Sequence, residues 1–263
     1  MTDGHVLVSD AVGNLRDVGG RPTSDGGTVA RGVAYRSAEL ASPAVAEDPE
    51  LARLAIRTVV DLRTASERGQ RPDVVPPGAR HVVLDVLADL PPQAAGQIPA
   101  ILADPSAAAR TLDGLDIAGA MVATYRELVV STSARAAYAA FVRLVIDPDA
   151  TPLLFHCTAG KDRTGWAATI LLLAAGVDDD GVRAEFLGVN PAVRTTFAPL
   201  LHRLEAAGVD PGLLAPALEV RPEYLETALA TVRDEHGSFD AYLTDGLGLS
   251  TLEVEALRHT MRA

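Results

Sequence analysis

Cysteine is almost missing from this sequence: its 263 residues include one, Cys157. A single thiol cannot close an internal disulfide or build a cysteine-cluster zinc site. That excludes a disulfide-stapled secreted scaffold and makes the cytoplasm the expected compartment. Long apolar runs are missing too. The longest strongly apolar stretch, Trp166 to Val177, is too short to cross a bilayer, and the opening MTDGHVLVSD has no basic region ahead of an apolar one. No anchor, cleaved leader or stable membrane insertion is therefore expected. Positive charge is scarce, since 23 Lys and Arg face 35 Asp and Glu for a formal net charge of −12. Nucleic acid is excluded as the main partner, because phosphate backbones are held chiefly by lysine and arginine. An anionic substrate would be repelled everywhere except at a pocket built from a few cations at close range.

What is present suits one large globular domain over 1–263, with 48% hydrophobic residues to build its core. The first third reads as short strands and glycine turns: 5–8, the turn-rich NLRDVGG at 14–20, and TVARGVAYRS at 28–37. A helix is expected over 43–55, then a buried strand at 57–63 and a further strand at 81–87. The Pro- and Ala-rich stretch 90–110 has neither strand nor helix punctuation and reads as an insertion, placed at about 85–130 together with its flanks. Helical spacing returns at 116–130 and 132–146, and TPLLFHC (151–157) is a buried strand followed by an apolar helix over 164–175. Helices then fill 178–190, 192–207 and 222–236, and Ser250 with Glu253 forms a capping box that opens the last one. Early strands interleaved with later helices point to an α/β sandwich.

The turn between the 151–157 strand and its helix reads HCTAGKDRTG. Backbone N–H groups from Thr158, Ala159, Gly160, Lys161, Asp162 and Arg163 can converge there on one oxyanion, reinforced by the positive end of the helix. Gly160 permits close backbone approach, Arg163 offers a planar two-pronged donor, and Lys161 adds a point charge. Beneath them, the dipoles and cations that favour phosphate also favour thiolate at Cys157, a nucleophile aimed at phosphorus. Thr164 can donate to the sulfur, and His156 braces the loop. Asn14, Arg16 and Asp17 read as supports for the turn, and Arg36 and Arg63 as members of buried ion pairs. A buried cysteine is often only a small hydrophobe, but Cys-x5-Arg-Thr, preceded by His and containing Gly-Lys, is too particular for that reading. A Walker-type loop would place Ser or Thr directly after Gly-Lys, where Asp162 and Arg163 stand.

HCTAGKDRTG resembles the phosphate loop of the protein tyrosine phosphatase superfamily. The segments NLRDVGG, YRSAEL, TVVDLRTASER and RPEYLETAL are similar to its bacterial PtpB-like branch. The resemblance implies a three-layer sandwich with a central, mostly parallel sheet flanked by helices, and a helical lid where the insertion falls. It also implies phosphomonoester hydrolysis through a cysteinyl-phosphate, without metal or cofactor. The substrates implied are a phosphorylated protein, on tyrosine and also on serine or threonine, or a phosphoinositide. On the matched positions Cys157 is the nucleophile and Arg163 with the loop amides holds the phosphoryl oxygens. Asp162 is the general acid, against a role as a helix N-terminal aspartate favouring the macrodipole, with Asp61 as runner-up against a structural role bonding backbone or Arg63. A non-catalytic phosphate- or phosphoinositide-binding module is the alternative from another class.

Overall fold

The computed structural model describes residues 5–90 and 116–263, apart from positions 207 and 209. Five short strands form one sheet: β1 (Arg16–Asp17), β2 (Ala34–Ser37), β3 (Thr58–Asp61), β4 (Arg80–Val83) and β5 (Leu153–His156). Their order is β1-β2-β5-β3-β4; only the β1–β2 pair is antiparallel. β2, β5 and β3 are buried along their whole length, as expected of parallel strands covered on both faces. In register, Ser37 and Asp61 lie on either side of His156. The chain therefore leaves all three strands at the same sheet edge, which is where sites form in open α/β sheets.

One face of the sheet is covered by the short helix α1 (Pro49–Leu54), whose Leu51 and Leu54 pack with Tyr35, Val59 and Leu154. α2 (Ala65–Gln70) follows β3. Against the other face lie α3 (Ile117–Val130), α4 (Thr132–Ile146), α5 (Asp162–Ala175) and α6 (Asp179–Leu187). The main core runs from Val60, Leu153 and Phe155 through Tyr125, Tyr138, Phe141 and Trp166. α5 is buried nearly all round, as a helix without a polar face must be. α7 (Asn190–Ala206), α8 (Ala215–Leu218), α9 (Pro222–His236) and α10 (Thr251–Thr260) complete the α-helical side. This is the expected α/β sandwich with a central, mostly parallel sheet.

Two local expectations need correction. The 43–55 segment is a 3-10 turn (Pro43–Glu47) and then α1, because Pro49 holds Asp48 extended and Asp48 caps the new helix through the Leu51 N–H. NLRDVGG contains β1 as well as its turn, and 5–8 contributes only an isolated bridge from Val6 to Arg16. Of the expected 85–130 insertion, residues 91–115 lie outside the described residues, while α3 puts Met121, Tyr125, Leu128 and Val129 into the main core. No single described helix is long and apolar enough to cross a membrane.

Candidate active site

β5 ends at His156, and α5 begins at Asp162, two residues before the expected start. Between them, three successive carbonyls are held from outside the turn. Thr158 O accepts from the Glu39 N–H at 3.1 Å. Ala159 O accepts from Asn14 Nδ2 at 3.4 Å, and Gly160 O from Asn14 Nδ2 at 3.1 Å and an Arg36 guanidinium nitrogen at 2.7 Å. A trans peptide points its N–H opposite to its C=O, so the N–H groups of Ala159, Gly160 and Lys161 are turned away from these anchors. None of the three has an acceptor among the described residues. Gly160 is required twice over: its φ is +68°, and a Cβ would lie 2.2 Å from Ser37 O.

Cys157 lies at the base of this turn, 2% exposed. His156 is fully buried, with Nδ1 3.2 Å from Cys157 O and Nε2 3.0 Å from Asp73 Oδ2. A carbonyl only accepts, so Nδ1 donates to Cys157 O, and His156 braces the loop through it. Burial raises the Asp73 carboxyl, but the bond and charge of His156 and the charge of Arg63 outweigh it and hold Asp73 well below the usual range. The expected bond from Thr164 to the sulfur is not made; its buried hydroxyl has no partner among the described groups.

Arg163 turns its fork onto Glu67, with two bonds of 2.7 Å, and Glu67 also accepts from the Thr158 hydroxyl at 2.5 Å. Burial raises the Glu67 carboxyl, but these partners reverse the shift and hold it far below the usual range. Glu67 escaped the sequence reading although its signal was present. Thr64 and Glu67 form the S/T-x-x-E capping box of α2, a helix that the reading also missed.

Asp162 receives the Lys161 ammonium on Oδ2 at 2.7 Å and the Tyr125 hydroxyl on Oδ1 at 2.8 Å. Burial first, then the charge of Asp162, pushes the Tyr125 phenol well above its ordinary value, so it stays a donor. Asp61 is engaged otherwise: both oxygens accept from the Arg63 guanidinium, at 3.0 and 2.9 Å, an arrangement that favours its structural reading. Asp61, Asp73 and His156 place ligand-type atoms within 4.8 Å of one another. Arg63 bridges the two carboxylates, 2.7 Å from Asp73 and 2.9 Å from Asp61, so a guanidinium already fills the place of a cation.

A cysteine under inward-facing amides, with an arginine closing the same turn at the head of a helix, defines a cysteine-dependent phosphatase. The chain belongs to the tyrosine phosphatase family, whose model matches residues 7–263. Over 261 residues it is 34% identical to a provisionally named tyrosine-protein phosphatase of Cupriavidus necator, covering 95% of this chain and 87% of that one. Over 273 residues it is 31% identical to the triple specificity protein phosphatase PtpB of Mycobacterium tuberculosis, covering 93% of this chain and 95% of that one. These matches place it in the PtpB-like branch.

Proposed function

We propose that the chain hydrolyses phosphotyrosine, and with it phosphoserine, phosphothreonine and phosphoinositides, through a phosphoryl group carried on Cys157. The observation that carries this reading is the set of three carbonyls pinned outward over a buried cysteine, which leaves N–H donors for the equatorial oxygens of the phosphoryl group. The Cys157 thiolate attacks phosphorus, an S–P bond forms and the ester P–O bond breaks. Arg163 and the amides of 158–163 hold the charge that develops. The phosphoryl dianion draws Lys161 off Asp162, whose carboxylate takes up a proton from solvent and passes it to the leaving oxygen as the P–O bond breaks. In the second step water attacks phosphorus, Asp162 takes its proton, and phosphate leaves as the thiolate returns. At 2% exposure Cys157 is best reached by the long aryl ester of phosphotyrosine, so the highest kcat/KM is expected there.

Cys157→Ser is expected to abolish hydrolysis of an aryl phosphate while still binding inorganic phosphate. Persistent turnover by that variant would refute the mechanism. A panel of phosphopeptides and phosphoinositide vesicles tests the range of substrates. Equal kcat/KM for phosphotyrosine and phosphoserine peptides would refute the preference.

A further inference from the structure

The side chain that holds the Gly160 carbonyl most closely comes from a strand, not from the loop. Arg36 of β2 is fully buried and divides its fork between two partners: one terminal nitrogen lies 2.7 Å from Gly160 O, the other 3.0 Å from Glu185 Oε1. Glu185, on α6, is itself buried and bonded on its other oxygen by Arg21. α5 packs directly over the guanidinium, since a Cβ on Gly165 would stand 3.8 Å from it. The charged and titratable groups that face Arg36 are Glu185 from α6, Arg16 from β1, Arg21 from the turn after it, Tyr125 from α3 and Cys157 from the loop itself. Lysine has one nitrogen and cannot span the carbonyl and the carboxylate at once in this way.

We propose that Arg36, clamped by Glu185, is a positioning residue for the transferred phosphoryl group: by holding the Gly160 carbonyl outward it fixes the Lys161 N–H toward the anion. Arg36 touches neither substrate nor sulfur in this role; it acts through one peptide plane. The affinity of the cradle is thus set in part from α6, through the buried pair of Glu185 with Arg36. The inference rests on the phosphatase reading of Cys157 but fails separately from it, because it concerns anion affinity and not the nucleophile.

The test compares inhibition by inorganic vanadate, a five-coordinate mimic of phosphoryl transfer, for the wild type and for Arg36→Met, Arg36→Lys and Glu185→Gln. Active sites are titrated and melting curves recorded alongside. Arg36→Met should raise the vanadate inhibition constant about 10- to 100-fold per active site, the loss of one charge-assisted hydrogen bond. Arg36→Lys should recover part of that, and Glu185→Gln should weaken inhibition a few fold, roughly what a neutral partner costs a charged donor. A merely structural role would lower the fraction of active sites and leave the inhibition constant alone. That result, or an unchanged constant in a folded Arg36→Met, overturns the inference while the phosphatase reading stands. If Arg36→Met does not fold, wild-type inhibition in both Arg36→Lys and Glu185→Gln overturns it equally. Turnover by Cys157→Ser, in contrast, would remove the phosphatase reading itself.

Discussion

Glu67 serves two structures with one carboxylate: it closes the capping box of α2 and it takes both prongs of Arg163. Because its carboxyl is held far below an ordinary glutamate, its bonds stabilise the fold fully above the unfolded value near ~4.3, and that stability is lost as pH falls below it. Glu67→Gln should therefore cost about 2 kcal/mol at neutral pH, with the gap to the wild type closing in acid; melting curves against pH measure this. A gap that stayed constant with pH would contradict the assignment. Asp162→Asn should lower kcat by about 10²- to 10⁴-fold on an alkyl phosphate and far less on a nitrophenyl phosphate, whose leaving group needs no proton. Equal losses on both would remove Asp162 from the acid role. Cys157 through Arg163 were legible in the sequence because a single turn carries them, and contiguity survives folding. Glu67, Tyr125 and Asp73 were not, because each reaches the loop from a distant segment that only the sheet order brings near.

Elements with their own punctuation were readable. α4 was placed by apolar spacing, α9 by the proline at its first turn, and α10 by Ser250 and Glu253, which form the expected capping box. β1, with two residues, offers no period to read, and the break at Asp48 depends on how one proline restricts its neighbour. The short α2 has no buried residues, so it carries no apolar stripe at all and stands on its cap. Thr64→Ala should cost about 1 kcal/mol of stability and also loosen the Glu67 contact with Arg163. Calorimetry together with phosphate inhibition would show both effects, and loss of stability alone would mean that the cap and the site are independent. In the loop, Gly160→Ala combines a positive φ with a clash against the Ser37 backbone. Phosphate binding should be lost more completely there than in any substitution of α2.

The net charge of −12 surrounds a site that must bind anions. Screening should help: kcat/KM for an acidic phosphopeptide is expected to rise as ionic strength goes from about 0.01 M to about 0.15 M, where the Debye length shrinks from ~30 to ~8 Å. A fall over that range would indicate an attractive field around the cleft. The fold class was legible because the order of strands and helices follows from patterning, and the placement of the site because a turn after a parallel strand opens at the sheet edge. Of the loop's anchors Asn14 was legible, as a support for the turn; the hold of Arg36 and Glu39 on it was not, since they lie more than a hundred residues upstream of the carbonyls they bind. The most direct measurement is rapid quenching of the working enzyme with an aryl phosphate, followed by mass analysis of its peptides. A phosphoryl group on the Cys157 peptide, absent from Cys157→Ser, is the expected result; turnover with no phosphoryl group on that peptide at any quench time would contradict the account.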